Sequence, residues 1–196
     1  MADGFHTPTN SQSALMARRC FSVADVEAMF DADILSREEK IELIDGEIIT
    51  KNSQMMPHAV LKSRLSRRFA QLLPESFDII IEGTTLLNAQ TLIEPDILIA
   101  MRLPGDERRY VDSTELLLAI KIADTSLAYN LGTKALLYAG ANIPELWVVD
   151  LNHAKTWVHR EPTLTGYMSI IQVPFDEVLK AQSMININVI IDSLRN

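Results

Sequence analysis

The segment Leu116-Leu117-Leu118-Ala119-Ile120-Lys121-Ile122 constrains the fold of this chain more than any other stretch. It is apolar on both faces, the pattern of a central strand covered on both sides by other layers. Strict alternation puts Leu117, Ala119 and Lys121 on one face and Leu116, Leu118, Ile120 and Ile122 on the other. Lys121 therefore points into a region that is otherwise apolar. Removing an ammonium group from water is costly unless it is paired, so a carboxylate must lie close by or the strand must end at a polar cleft.

A second lysine poses the same problem. Residues 129–140 read as a helix in which Leu131, Ala135 and Tyr138 mark the inward stripe, and Lys134 lies three residues after the first and four before the last. It faces the sheet or its rim. A lone inward lysine usually snorkels to solvent. Two lysines aimed at one end of a sheet, with Pro95-Asp96 leading into the strand Ile97 to Ala100, define a candidate functional cleft instead.

The remaining elements follow from local signals. Ser22 precedes the periodic residues Val23, Val26, Met29 and Phe30, an N-capped helix ending before Ser36. Asp45-Gly46 sits between Ile41 to Ile44 and Glu47 to Thr50, a hairpin signature. From Pro57, Leu61, Leu65, Phe69 and Leu72 recur at helical spacing. On the same helix Arg64, Arg67 and Arg68 fall within roughly 100° of arc, a basic stripe that is either a solvated face or a phosphate-contacting one.

Phe77 to Leu87, around Glu82-Gly83, predicts a hairpin or two consecutive strands, and Leu103 to Asp112 an exposed loop. Residues 146–150, Lys155 to Arg160 and Tyr167 to Val173 predict further strands, with a short helix from Val189 to Leu194. The expected fold is α/β (α+β), a mixed central sheet flanked by helices.

A chain of 196 residues suits one domain, placed at 21–196, behind a Ser/Thr/Asn/Pro-rich tail at 1–20 expected to be mobile. Cys20 is the single cysteine and cannot form an internal disulfide. No apolar run approaches the roughly 18 residues of a membrane span, and the N-terminus lacks signal-peptide character, so a cytoplasmic protein with no membrane partner is expected. The net charge of −8 is unfavourable for a protein that coats nucleic acid, unless its positive charge gathers on one face.

Glu42-Leu43-Ile44-Asp45-Gly46-Glu47, His58 at a helix start, Pro95-Asp96 entering a strand, and the long block from Leu116 to Asp150 together resemble a bacterial family of restriction-endonuclease-like proteins. That family has the PD-(D/E)XK nuclease fold, and the resemblance runs from about Phe21 to at least Tyr167. It implies Mg²⁺-dependent hydrolysis of DNA phosphodiesters, with no small-molecule cofactor. An aspartate and a glutamate on neighbouring strands would hold the metal, and a lysine would position water and steady the developing charge. Asp96 matches the aspartate. Lys134 matches the lysine, which the family carries on the following helix. Glu42 and Glu82 stand as accessory ligands or water holders, with Glu82 beside Asp96 in the metal set and Glu42 in the catalytic one. The stripe of Arg64, Arg67 and Arg68 would then contact DNA, and a homodimer is expected.

The departure is at the glutamate. Where the family pattern resembles V-I-E-V-A-D-T-S, this chain reads Ala119-Ile120-Lys121-Ile122-Ala123-Asp124-Thr125-Ser126, which puts a cation in the place of a metal ligand. Asn130 and Leu131 likewise stand where an acidic and a basic residue are expected. Mg²⁺ is accordingly expected for the family and not in this chain. Three readings follow: an active endonuclease using Asp96, Lys134 and a relocated acid; a catalytically silent nuclease fold that binds DNA or a partner protein; and a scaffold unrelated to nucleic acid.

Overall fold

The structure is a computed structural model that describes residues 19–51, 53–184 and 187–195. The expectation of a mobile tail falls almost wholly on residues outside these. The helix expected after Ser22 is α1 (Val23–Asp31), closed by a capping box in which Ser22 and Asp25 satisfy each other's backbone N–H groups. Asp45 and Gly46 both adopt positive φ, +48° and +81°, and join β1 (Ile41–Ile44) to β2 (Glu47–Thr50). That is the double left-handed turn which matches strand twist. Gly46 is required twice over, because a Cβ there would lie 2.5 Å from Cβ of Cys20.

Next comes α2 (Met56–Leu72), with Pro57 in its first turn. The chain continues through β3 (Phe77–Ile81), β4 (Thr85–Asn88), β5 (Thr91–Ile93), β6 (Ile97–Met101), the short β7 (Val111–Asp112) and β8 (Leu116–Ala123). The strands form two principal sheets rather than one. β3 and β4 follow each other in sequence, but Glu82 at φ +54° turns the chain so that they enter different sheets. A six-stranded sheet has the order β11-β10-β9-β8-β6-β3, where β9 is Glu145–Asp150, β10 Lys155–Thr163 and β11 Gly166–Pro174. A five-stranded sheet has the order β2-β1-β5-β4-β7. Periodicity marks strands, but it does not say which strand crosses to another layer.

β8 is central, antiparallel to β6 and parallel to β9. Leu118, Ile120 and Ile122 pack with Leu61, Leu65 and Phe69 of α2 and with Phe175, Leu179, Met184 and Ile187 of the C-terminal segment. Ala119, Leu146 and Val148 pack on the other face with Ala135, Tyr138 and Ala139. The expected alternation holds from Leu118 onward. It fails at Leu116 and Leu117, which swap faces, because the β6–β8 register shifts at Ile99/Ala100.

The helix expected at 129–140 is present as three pieces: α3 (Leu127–Tyr129), a π turn (Asn130–Lys134) and α4 (Ala135–Gly140). The C-terminal helix shrinks to a single 3₁₀ turn at Asp192–Leu194 after β13 (Asn188–Val189), which pairs with β12 (Leu179–Lys180). Buried Glu145 pins this segment. It accepts hydrogen bonds from Trp147 Nε1, the Arg160 guanidinium and the backbone N–H groups of Gln182 and Ser183. Among the described residues no helix is long and apolar enough to cross a membrane.

His159 on β10 is buried with its ring edge toward Tyr167, centroids 5.6 Å apart, and burial pushes its pKa below the usual 6.5. The unfolded chain thus binds a proton at higher pH than the folded one. This contribution to stability is complete above about pH 6.5 and is lost as the pH falls toward the lower folded value. Urea denaturation from pH 7.5 to 5 should show falling stability in the native protein and a shallower fall in His159→Phe.

Candidate functional site

Glu94, Pro95 and Asp96 connect β5 to β6, so Asp96 sits where the chain passes from the five-stranded sheet to the six-stranded one. Its N–H donates to the Ile120 carbonyl at 3.0 Å, and its Oδ2 accepts from the Ile122 N–H at 2.7 Å. The carboxylate is thereby fixed alongside β8. Lys121, between those two residues on β8, places Nζ 3.1 Å from the same Oδ2 and donates to the Glu94 carbonyl at 3.2 Å. His58, in the first turn of α2, brings Nε2 to 3.3 Å from Asp96 Oδ1.

Glu42 on β1 is reached from the other sheet. The Glu94 N–H donates to its Oε1 at 3.0 Å, and Lys134 Nζ contacts both of its oxygens, at 2.9 and 2.6 Å. Lys134 closes the π turn, and this irregularity sits where the helix faces the cleft. Lys51 pairs with the Glu94 carboxylate at the rim. Lys121, Lys134 and Lys51 thus each face a carboxylate in or beside a cleft of about 310 Å³, which Asp124, Ser126 and Tyr129 also line.

Burial dominates the electrostatics, and the partners oppose it. Desolvation pushes the Asp96 carboxyl up, but Lys121, His58 and the Ile122 N–H outweigh it and hold the group well below the usual carboxylate range. Glu42 is likewise pushed up by burial and brought below its ordinary value by Lys134 and the Glu94 N–H. Burial and the neighbouring Lys121 ammonium lower the Lys134 pKa against the pull of Glu42. Behind the cleft, Tyr138 is fully buried and its phenol is pushed well above its ordinary pKa by that burial.

The structure brings Glu42, Asp96, Lys121 and Lys134 together, and it leaves Glu82 outside. The Glu82 carboxylate turns to Lys62, Lys40 and Gln54, and the Lys62 hydrogen bond holds its pKa at about 2 against burial. Its own positive φ, at the point where the chain passes from one sheet to the other, accompanies this placement away from Asp96. Arg64, Arg67 and Arg68 lie outside the cleft, around a surface notch with Gln71, Ser193 and Leu194, and Arg64 donates to the Leu194 carbonyl at 2.9 Å. Asp124 lines the lip of the cleft, and its backbone carbonyl accepts from Asn152 Nδ2.

Sequence reasoning names His58 as a mark of the family resemblance but gives it no role in the site, and it assigns none to Lys51 or Glu94. His58 could have been found, since it falls in phase with Leu61, Leu65 and Phe69 on the inward face of α2. Lys51 and Glu94 carry no such periodic signal, because each lies just outside a strand end.

The Lys121–Asp96 pair predicts strong coupling. Lys121→Ala leaves a buried carboxylate without its cation, a change that typically costs about 3–5 kcal/mol. Asp96→Ala with Lys121→Ala should cost clearly less than the sum of the two single changes, measured as unfolding free energies in urea. Additive losses would mean that the two groups do not interact.

Residues 26–192 match the family model Uma2, described as "Putative restriction endonuclease". The fold is similar to that of the crystal structure of a "putative nuclease belonging to DUF820" from Anabaena variabilis, with a TM-score of 0.67 and 16% sequence identity over 84% of this chain and 94% of that one. No curated protein matches the chain. With a family match over most of its length and the accompanying fold, the chain belongs to the Uma2 family of restriction-endonuclease-like proteins.

Proposed function

We propose that this protein is a nuclease fold that binds nucleic acid without metal and without hydrolysing it. The observation that carries this reading is the Lys121 ammonium, 3.1 Å from Asp96 Oδ2. Replacing the glutamate of the family pattern by lysine changes the cleft by two units of positive charge, the charge of one divalent cation. At an effective dielectric of about 20, two unit charges 4 Å apart interact by roughly 4 kcal/mol, and a dication would be repelled by Lys121 about twice as strongly.

The donor set fits Mg²⁺ poorly for a second reason. Both Asp96 oxygens are engaged, by Lys121, His58 and the Ile122 N–H, and both Glu42 oxygens are taken by Lys134. Among the described residues no three His, Cys, Asp or Glu side chains gather into a set able to hold a metal ion.

Nucleic-acid binding is supported by how the surface depressions connect. A groove of about 380 Å³ shares Asp124 with the cleft and Leu194 with the arginine notch, so the three depressions adjoin between Asp96 and Arg64, Arg67 and Arg68. Along α2, His58 and Arg68 are about 15 Å apart at 1.5 Å per residue, which corresponds to roughly four nucleotide steps of 3.4 Å. Such a strand could place one phosphate at the cleft and others on the arginines, which concentrates positive charge locally on an acidic protein.

Plasmid incubation and filter retention test this. The native protein should leave supercoiled plasmid intact in Mg²⁺ or Mn²⁺ and retain DNA equally well in EDTA. Retention should weaken with salt, and Arg67→Ala with Arg68→Ala should reduce the log–log salt slope by about two. Metal-dependent nicking by the native protein that Asp96→Asn abolishes would overturn the proposal.

A further inference from the structure

We propose that the cleft takes up an unpaired nucleobase bearing an exocyclic amino group, with Tyr129 as its stacking surface, so that the strand bound is a single one. This rests on the nucleic-acid reading and says which part of the ligand enters the cleft.

The charges lining the cleft offer little to a phosphate inside it. Lys51, Lys121 and Lys134 supply its positive charge, and each is already held by a carboxylate, those of Glu94, Asp96 and Glu42. His58 is turned to Asp96. Asp124 adds a carboxylate that has no hydrogen bond or ion pair among the described residues. A phosphate entering here would give up its water, meet no free ammonium and face an anion. The arginines that can meet phosphates, Arg67 and Arg68, lie in the adjoining notch.

The remaining groups suit a base. Tyr129, the last residue of α3, lines the cleft yet is 38% exposed, with the Lys134 ammonium 5.7 Å from its ring centroid. Ile49 and Met55 add exposed apolar surface to the same lining. An aromatic ring beside adaptable apolar side chains is a surface on which any base can stack. Exposed apolar groups gathered around a polar cleft mark a ligand site more than an ordinary surface. A volume of about 310 Å³ is at the small end of ligand sites and suits one base rather than a folded strand.

Hydrogen bonding narrows the choice of base. Asn130 is only 2% exposed, and its Nδ2 donates to Ser126 Oγ at 3.0 Å, which leaves its Oδ1 without a partner among the described residues. The two unengaged groups of the lining, Asn130 Oδ1 and the Asp124 carboxylate, are therefore both acceptors. Cytosine, adenine and guanine offer them an amino donor. Thymine has carbonyls on both sides of its one ring N–H and would set oxygen against oxygen. In a duplex the amino group is paired and the base stacked, so insertion costs unpairing energy that a single strand does not incur.

Fluorescence anisotropy in EDTA tests this with labelled oligo(dC), oligo(dT) and a blunt duplex of equal length. The native protein should bind oligo(dC) at least about fivefold more tightly than either of the others. Tyr129→Ala should weaken oligo(dC) binding about tenfold, and Tyr129→Phe should recover most of that loss because it keeps the ring. Asp124→Asn should narrow the preference for oligo(dC), since an amide can also donate to a thymine carbonyl. Arg67→Ala with Arg68→Ala should weaken both single strands by the same factor, because phosphates carry no base identity.

Equal affinity for all three ligands would overturn base insertion and leave the nucleic-acid reading standing. So would a Tyr129→Ala protein with native melting temperature and native affinity, or an unchanged preference in Asp124→Asn. A native protein that binds none of the three overturns both.

Discussion

The ion pair between Lys121 and Asp96 is the interaction on which the rest of this structure depends. Asp96 belongs to neither sheet alone. Its backbone joins the strands of the five-stranded sheet to those of the six-stranded sheet, and its N–H and carboxylate both bond to β8. The carboxylate is nearly inaccessible to water, so it persists as an anion only because the Lys121 ammonium, His58 and a backbone N–H surround it. Lys121 in turn is held by the Glu94 carbonyl, and the Glu94 N–H holds Glu42, which holds Lys134. One short segment, Glu94 to Asp96, therefore fixes both buried pairs.

The charge balance of the cleft follows from that chain of contacts. Lys121, Lys134 and Lys51 each meet a carboxylate, those of Asp96, Glu42 and Glu94, and Asp124 is a further carboxylate on the lip. In the family pattern a glutamate at position 121 would leave the same cleft two units more negative, and a divalent ion would be the natural means of restoring balance. Lysine at that position makes the balance intrinsic to the chain. The proposed loss of hydrolysis and the proposed retention of a nucleic-acid path are two consequences of one exchange.

Much of this was legible in the sequence because burial of charge is so costly. Lys121 within an apolar run and Lys134 on an inward helical stripe each demanded a carboxylate, and Asp96 and Glu42 answer that demand in the structure. Ser22 and Asp45-Gly46 encode local geometry directly, and both elements form where those signals place them. Three features depended on contacts that no local pattern carries. The division into two sheets turns on the conformation of Glu82, the swap of Leu116 and Leu117 on a register shift against β6, and the π turn on the fit of residues 130–134 over the cleft. His58 belongs to an intermediate class: its phase on α2 showed that it points inward, but only the fold shows that it meets Asp96.

The most direct measurement of the central claim is thermal unfolding of the native protein and of Lys121→Glu during titration with Mg²⁺ and with Mn²⁺. If Lys121 supplies the charge of a metal, the melting temperature of the native protein stays nearly constant. Lys121→Glu, by contrast, starts lower, because it crowds like charges around Asp96, and rises as metal binds its folded state. An equal response in both proteins would place the metal elsewhere and contradict the account of Lys121 as its replacement.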